Sequence, residues 1–358
     1  MQLNNKAKLI LENGDEFEGF SFGAEHSVSG EIVFNTGMVG YPESLTDPSY
    51  KGQILVLTYP LIGNYGVPGK TEEHGLLKYF ESDKIQIQAL VISDYSFEFS
   101  HWNAKKSLAE WLKEENIPAI YGIDTRRLTK TLRDKGAMLC KIIINHEDVK
   151  LFDPNMIDIV KEVSIKGPTV YNEKPNQKKV VVIDCGVKNN IIRNLIARDL
   201  TVIRVPYDYD FLTQLFDGLI ISNGPGDPKM CTKTIYHVGR ALKHNIPTFG
   251  ICLGNQILAL ASGGDTYKLK YGHRSQNQPC TMVGTKRCYI TTQNHGFAVD
   301  MKTIGSEWQE YFVNANDGTN EGIKHKTKPF MSCQFHPESW PGPNDTKFLF
   351  DEFLKMMK

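Results

Sequence analysis

A cysteine flanked by glycines has the clearest chemical potential in this sequence. Cys252 is the central residue of the pentapeptide at 250–254, and its Gly-x-Cys-x-Gly spacing is typical of a nucleophile elbow. Glycines on both sides permit the strained backbone that lifts the apical side chain into a cleft. A helix that begins directly after the cysteine would favour its thiolate form through the helix dipole. The pattern predicts a nucleophile; the alternative is a buried structural cysteine, since free cysteines often lie in cores.

Two histidines late in the sequence are the candidate bases. His336 follows the apolar segment 330–335 and precedes a proline, and Glu338 lies two residues further on. Glu338 is close enough to accept a hydrogen bond from His336, so Cys252, His336 and Glu338 would be nucleophile, base and orienting group. His295 is the rival base, and we prefer His336 because only it has an adjacent carboxylate. Taken singly, His336 could instead be an ordinary hydrogen-bonded histidine, and Glu338 could be a solvated charge on a loop.

The second half of the sequence contains the elements that would position these residues. Apolar strands alternate there with segments of helical periodicity. Strands are predicted at 179–184, 200–205, 218–221, 246–249, 289–292 and 330–335, and helices at 190–198, 236–242, 256–261 and 347–358. This alternation predicts an α/β domain with a mostly parallel sheet flanked by helices. Ligands collect at the carboxyl ends of such strands, where both the loop 224–228 and Cys252 lie.

The first half of the sequence predicts a separate, β-rich α/β domain. Two apolar segments flank Asn13-Gly14, which indicates a hairpin with a two-residue turn. Strands are predicted at 8–12, 16–20, 31–34, 53–57 and 85–92, and an amphipathic helix at 107–113. We expect domains at 1–150 and 178–358, joined by a polar linker at 151–177.

The composition excludes several classes of function. The chain of 358 residues has 41 basic and 41 acidic residues, and this zero net charge argues against a nucleic-acid partner. No apolar run is long enough to span a membrane, so no membrane partner is expected. The seven cysteines include no CxxC pair, so the sequence predicts no metal site. Cysteines of this kind suit a reducing compartment, and we expect a cytoplasmic protein.

One segment is similar to a phosphate-binding loop without meeting its requirements. Residues 63–71 end in Gly-Lys-Thr, but Asn64 stands where that loop needs glycine. Pro68 also removes an amide that could bind phosphate. The sequence therefore does not predict that this chain binds ATP through the segment.

Taken together, these motifs resemble those of a known family. Segments 250–256 and 336–338 resemble the class I (triad) glutamine amidotransferases. The resemblance extends over nearly the whole chain to the small subunit of carbamoyl phosphate synthetase, particularly the eukaryotic pyrimidine-pathway form. The segments that carry it are 34–38, 45–50, 122–126, 222–228 and 293–297.

The resemblance implies a glutaminase. Cys252 would attack the side-chain amide of glutamine, and His336, held by Glu338, would protonate the departing ammonia and then activate water. Ammonia would pass through a tunnel to a synthetase partner, either a large subunit or a fused domain, on which the N-terminal domain would dock. That partner would use ATP, Mg and bicarbonate to make carbamoyl phosphate for pyrimidines and arginine, and this chain itself would need no cofactor.

The resemblance also assigns contacts to the substrate glutamine. The implied contact residues are Ser49, Gly224, Gly226, Leu253, Gln256, Asn294, Gly296 and Phe297. The backbone amides of Gly226 and Leu253 suit an oxyanion hole. The chain departs from the bacterial pattern of the family at Asn255, where many members carry histidine, without losing a residue of the triad.

Two other functions fit the same motifs. A non-catalytic regulatory module could keep the amidotransferase fold, and a cysteine peptidase could use the same elbow and triad, since both recur in unrelated hydrolases. Glutamine hydrolysis separates them from a glutaminase: the regulatory module releases no glutamate, and the peptidase releases amines from peptides.

Overall fold

The computed structural model describes residues 5–357, and the chain divides into two compact units at Ile157 and Asp158. The predicted linker, 151–177, is therefore split between the units. Its second part contains the short helix α4 (Val160–Val163) and the strand β14 (Thr169–Tyr171). This strand is held by backbone pairing at the edge of a sheet, and such pairing leaves no apolar periodicity in the sequence.

The first unit is built around a closed barrel of seven strands. The strands of the whole unit, in the barrel and outside it, are β1 (Lys6–Leu11), β2 (Glu16–Ser21), β3 (Val28–Asn35), β4 (Gln53–Leu57), β5 (Leu61–Ile62), β6 (Val67–Pro68), β7 (Glu72–Glu73), β8 (Leu76–Leu77), β9 (Ala89–Val91), β10 (Asp94–Tyr95), β11 (Ala104–Lys106), β12 (Ala119–Tyr121) and β13 (Met138–Ile144). Its α-helices are α1 (Tyr41–Thr46), α2 (Leu108–Glu114) and α3 (Thr125–Lys135). The barrel order is β1-β13-β3-β4-β9-β12-β2, and the other strands form two-stranded sheets.

The local predictions for this unit are mostly confirmed. The hairpin β1–β2 is present, although its connection spans residues 12–15 rather than two residues. Helix α2 is shifted by one residue from the predicted 107–113. Ser107 is not its first residue but its N-cap, and forms a capping box with Glu110. The predicted strand 85–92 is too long: only Ala89–Val91 is strand. Ile85 and Ile87 lie in irregular backbone, and both are buried. Their spacing in the sequence is therefore the same as that of the buried residues of a strand.

The second unit contains one ten-stranded sheet with helices. Its strands after β14 are β15 (Lys179–Asp184), β16 (Thr201–Pro206), β17 (Gly218–Ile221), β18 (Thr248–Ile251), β19 (Asp265–Met282), β20 (Cys288–Asp300), β21 (Trp308–Asn314), β22 (Asn320–His325) and β23 (Phe330–Cys333). Its helices after α4 are α5 (Asn189–Ile196), α6 (Thr232–Lys243), α7 (Leu253–Ala261) and α8 (Phe348–Met356). The strand order is β14-β16-β15-β17-β18-β23-β22-β21-β19-β20.

The α/β prediction is confirmed, and the sheet is mixed. The block β16-β15-β17-β18-β23 is parallel, as the alternation of strands and helices predicts. Strand β14 and the strands β19 to β22 pair antiparallel, which the sequence analysis did not anticipate. Strand β19 is long, polar and broken by register shifts, so it lacks the alternation by which a strand is recognised. Helix α8 ends at Met356, and Lys358, its predicted last residue, lies outside the described residues.

Among residues 5–357, no helix has the length and apolar character needed to cross a membrane.

Candidate active site

Cys252 occupies a strained turn between a strand and a helix. Strand β18 ends at Ile251, helix α7 begins at Leu253, and Cys252 has φ 55° and ψ −106°. A positive φ in a residue with a side chain costs on the order of 1–3 kcal/mol and is commonest at functional sites. The flanking glycines are required by close packing. A Cβ at Gly250 would lie 2.4 Å from the carbonyl oxygen of Gly254, and one at Gly254 would lie 2.0 Å from that of Ile221.

The parallel pairing of β18 with β23 brings the nucleophile and the base to the same edge of the sheet. Ile251 pairs with Cys333, and the backbone N–H of Cys252 donates to the carbonyl of Cys333 at 2.8 Å. His336 lies three residues beyond the end of β23, and its own N–H donates to the carbonyl of Thr292 at 2.9 Å. Because both side chains follow neighbouring parallel strands, they meet at the carboxyl ends, where such sheets bind ligands.

His336 and Glu338 form a buried pair. The Nδ1–H of His336 donates to Glu338 Oε1 at 2.6 Å, and both side chains are fully buried. The other ring nitrogen, Nε2, makes no hydrogen bond with any group in the described part of the chain. Burial acts to lower the pKa of His336, but the charges of Glu338 and of Cys252 outweigh it and raise this pKa to about 10. The ring therefore carries a proton beside the sulfur.

A buried lysine, which the sequence analysis missed, completes the carboxylate site. Lys188 Nζ lies 3.0 Å from Glu338 Oε1 and donates to the carbonyl of Ser339 at 2.8 Å. Burial acts to raise the pKa of Glu338, but the charges of Lys188 and His336 outweigh it and lower this pKa to about 2. Glu338 is thus a buried, ionised group rather than a solvated loop charge. Lys188 comes shortly after the carboxyl end of β15. Because site residues collect at the carboxyl ends of parallel strands, this position could have identified Lys188 from the sequence.

His295 lies in a different environment. Its Nδ1 lies 2.9 Å from the carbonyl oxygen of Phe297, and its Nε2 lies 3.2 Å from Gln293 Oε1. The nearest carboxylate oxygen, Glu321 Oε1, is 3.8 Å from Nε2. Burial, and then the positive charge of His273, hold the pKa of His295 well below its usual range. Its ring nitrogens are committed to structural contacts, which is not the arrangement of a free base.

His273, His295 and Glu321 are the one group of metal-ligating residue types found in the described range, with ligand atoms within 4.8 Å of one another. His273 Nδ1 lies 3.2 Å from Glu321 Oε1, and its Nε2 lies 2.8 Å from Asp317 Oδ2. Hydrogen bonds therefore already engage both nitrogens of His273 as well as those of His295. The arrangement is that of a closed hydrogen-bond network.

Seven of the implied glutamine contacts belong to the second unit. Gly224 and Gly226 follow β17, Leu253 and Gln256 lie on α7, and Asn294, Gly296 and Phe297 lie on β20. The thiol of Cys252 lies 3.6 Å from the carbonyl oxygen of Asn294, and Gln256 Nε2 donates to the carbonyl of Phe297 at 2.8 Å.

The two proposed oxyanion donors lie on different segments. Leu253 is the first residue of α7, so its amide is one of those that have no partner within the helix. Gly226 has φ 84° in the loop after β17. The role of both amides in binding an oxyanion stays a prediction.

Ser49 belongs to the first unit. It lies in a short 3₁₀ turn, Pro48–Tyr50, where its backbone N–H donates to Asp47 Oδ1 at 2.9 Å. Its contact with glutamine stays a prediction.

Comparison with known proteins agrees with this geometry. Residues 181–356 match the family described as "Glutamine amidotransferase class-I", so the second unit is a domain of that class. Residues 9–142 match "Carbamoyl-phosphate synthase small chain, CPSase domain".

Two kinds of relative match nearly the whole chain. The chain is 50% identical to "Carbamoyl phosphate synthase arginine-specific small chain" of Aspergillus oryzae, over 99% of this chain and 81% of that protein. It is 55% identical to "Multifunctional protein CAD" of Squalus acanthias and 50% identical to "Multifunctional protein ura1" of Schizosaccharomyces pombe, over 98% of this chain in both cases. It spans only 16% and 17% of the length of these two multifunctional proteins. The chain belongs to the carbamoyl phosphate synthase small-chain family.

Proposed function

We propose that this chain is the glutamine-hydrolysing component of a carbamoyl phosphate synthase. The observation that carries the proposal is the buried His336–Glu338 pair, placed beside Cys252 by the pairing of β18 with β23. A strained cysteine, a charged histidine and a fixed carboxylate are the parts that amide hydrolysis through a thioester needs. The match of both domains to the small-chain family supports the same function.

In the first half-reaction, the thiolate of Cys252 attacks the side-chain carbonyl carbon of glutamine. The resulting oxyanion is placed to accept hydrogen bonds from backbone amides, for which Leu253 and Gly226 are the candidates. His336 gives its proton to the departing nitrogen, the carbon–nitrogen bond breaks and ammonia leaves. A glutamyl thioester on Cys252 remains.

In the second half-reaction, neutral His336 takes a proton from water, and the hydroxide attacks the thioester carbonyl. The carbon–sulfur bond breaks, glutamate leaves, and the proton on His336 restores the starting ion pair. Glu338 keeps Nδ1 protonated throughout, so that Nε2 is the nitrogen that exchanges the proton.

Ammonia released in this way would serve a synthetase partner. Two kinds of relative suggest its form: a separate large chain for the arginine-specific small chains, or a fused domain in the multifunctional proteins. The partner would carry the chemistry of ATP, Mg and bicarbonate, and the product would feed pyrimidine or arginine synthesis. The proposed glutaminase chemistry uses side chains and backbone amides of this chain, and a cytoplasmic location is part of the proposal.

Replacement of the nucleophile tests the proposal. Cys252→Ser should lower glutamine hydrolysis by about a thousandfold or more, because serine lacks the acidity and nucleophilicity of a thiol in this site. Cys288→Ser is the matched control, since Cys288 is exposed and remote in sequence from the elbow. With the synthetase present, the Cys252 variant should still support synthesis driven by added ammonia.

Two outcomes would contradict the proposal. Loss of both glutamine-driven and ammonia-driven synthesis in the Cys252 variant would point to a structural role for the cysteine. A wild-type chain that forms no glutamate with the synthetase present would favour the regulatory module.

A further inference from the structure

A glutamine beside the sulfur has no role in the mechanism described so far. Gln334 directly follows β23, two residues before His336, and its side chain is fully buried. Its Nε2 lies 3.7 Å from the Sγ of Cys252, within the distance of a hydrogen bond to sulfur.

The orientation of this amide follows from its neighbours. Gln256 Nε2 donates to the backbone carbonyl of Phe297 at 2.8 Å, and a carbonyl can only accept, so the Gln256 amide cannot be reversed. The same nitrogen donates to Gln334 Oε1 at 3.1 Å, and Asn255 Nδ2 donates to that oxygen at 2.8 Å. Two donors thus fix Gln334 Oε1 on the side of α7, and its NH₂ group must be directed at the sulfur.

The second donor is itself anchored. Asn255 Oδ1 accepts a hydrogen bond from Ser332 Oγ at 2.7 Å, and Asn255 is fully buried. Asn255 therefore connects β23 to the amide of Gln334.

The sulfur has two polar neighbours that favour opposite protonation states. As a thiol, Cys252 can donate to the carbonyl oxygen of Asn294 at 3.6 Å. As a thiolate, it loses that bond and accepts from Gln334 Nε2 instead. In a buried site, a hydrogen bond to an ionised group is stronger than one to a neutral group.

We propose that Gln334 is a catalytic residue that stabilises the thiolate of Cys252 through its side-chain amide, and that Asn255 and Gln256 are positioning residues for it. In the ion pair of the Cys252 thiolate with protonated His336, Gln334 supplies a hydrogen-bond donor that the thiolate accepts. The inference rests on the proposed glutaminase function, because it concerns the same sulfur.

Alkylation of Cys252 tests this without using glutamine. The rate of iodoacetamide modification at Cys252, followed by peptide mass spectrometry against pH, measures the thiolate directly. Gln334→Glu keeps the oxygen that Asn255 and Gln256 contact but removes the NH₂ donor. We expect its alkylation at neutral pH to fall about tenfold, with the inflection moved to higher pH. Gln309→Glu, on the exposed part of β21, is the matched control and should leave the profile unchanged.

A second variant keeps the test decisive if circular dichroism shows that Gln334→Glu does not fold. Asn255→Leu retains Gln334 but removes one of its two fixed donors, and should move the inflection in the same direction by a smaller amount. An unchanged alkylation profile in a folded variant of either kind overturns the proposal. Failure of the proposed function is seen separately, as a wild-type chain that forms neither glutamate nor thioester.

Discussion

Two segments of the second unit have the same Gln-x-His pattern and opposite electrostatics. Gln334 and His336 follow β23, while Gln293 and His295 lie on β20. The two histidines are almost equally buried, with 1% and 4% of their surface exposed. Nevertheless the pKa of His336 is raised to about 10 by the charges of Glu338 and Cys252, against the effect of burial. Burial and the charge of His273 lower the pKa of His295 well below its usual range.

The comparison shows that burial alone does not select a catalytic histidine. His336 is bonded to a carboxylate that Lys188 keeps ionised. The carboxylate nearest to His295, that of Glu321, lies closer to His273 and has its own pKa raised by burial. The difference between the segments is therefore made by the partners of each ring.

The largest expected effect is the loss of the base. His336→Asn should lower kcat for glutamine hydrolysis by about ten-thousandfold, because it removes the group that protonates the leaving nitrogen and activates water. His295→Asn should lower kcat far less, since that ring serves only structural contacts. Steady-state kinetics of both variants measure the contrast, and a reversed order would show that the base is assigned to the wrong segment.

A smaller effect is expected from the orienting carboxylate. Glu338→Gln keeps the size of the side chain but removes its charge, and should lower kcat on the order of a hundredfold. The pKa of His336 should fall with it, so the pH–rate profile should change shape as well as height. Glu307→Gln, on the exposed loop before β21, is the control and should leave both unchanged. An unchanged shape of the pH–rate profile in Glu338→Gln would show that the carboxylate does not set the pKa of His336.

Removal of Lys188 should act mainly on stability. Lys188→Met leaves Glu338 buried beside His336 alone, and breaking a buried pair in this way costs about 3 kcal/mol of the free energy of unfolding. Chemical denaturation measures the loss, and Lys302→Met, at an exposed position, should stay within about 0.5 kcal/mol of the wild type. Equal stability of the two variants would mean that Lys188 does not support the carboxylate.

The last expected effect is the pH dependence of stability, which should have opposite signs for the two histidines. The pKa of His336 is raised from 6.5 to about 10, so its stabilisation is complete below pH 6.5 and is lost as the pH rises through about 10. The pKa of His295 is lowered from 6.5, so His295 costs stability as the pH falls below that value.

Denaturation of the wild type, His336→Asn and His295→Asn across this range measures both contributions. The stability advantage of the wild type over His336→Asn should shrink toward pH 10. Its advantage over His295→Asn should shrink below pH 6.5. If the stability advantage of the wild type over each variant changed with pH in the same direction, the two histidines would not differ in their electrostatic contribution.

Much of this arrangement could be predicted from the sequence because it depends on local patterns. The Gly-x-Cys-x-Gly turn, β15 and β17 were recognisable because backbone strain and parallel-strand burial leave short, characteristic segments. The adjacent carboxylate was enough to prefer His336 over His295.

The contacts that were missed are long-range. Lys188 and Glu338 are 150 residues apart, and Gln334 reaches Cys252 across 82 residues, so no periodicity relates either pair. The antiparallel strands β19, β21 and β22 were missed, and β20 was predicted only over residues 289–292, because their polar and irregular sequences do not alternate.

Trapping of the covalent intermediate tests the central claim most directly. The wild-type chain is mixed with glutamine, quenched in acid and digested, and its cysteine peptides are weighed by mass spectrometry. A glutamyl thioester on the peptide that contains Cys252, and no thioester on that peptide in Cys252→Ser, is the predicted result. Glutamate formed at the wild-type rate with no adduct on Cys252, or with an adduct on another cysteine, would contradict the account.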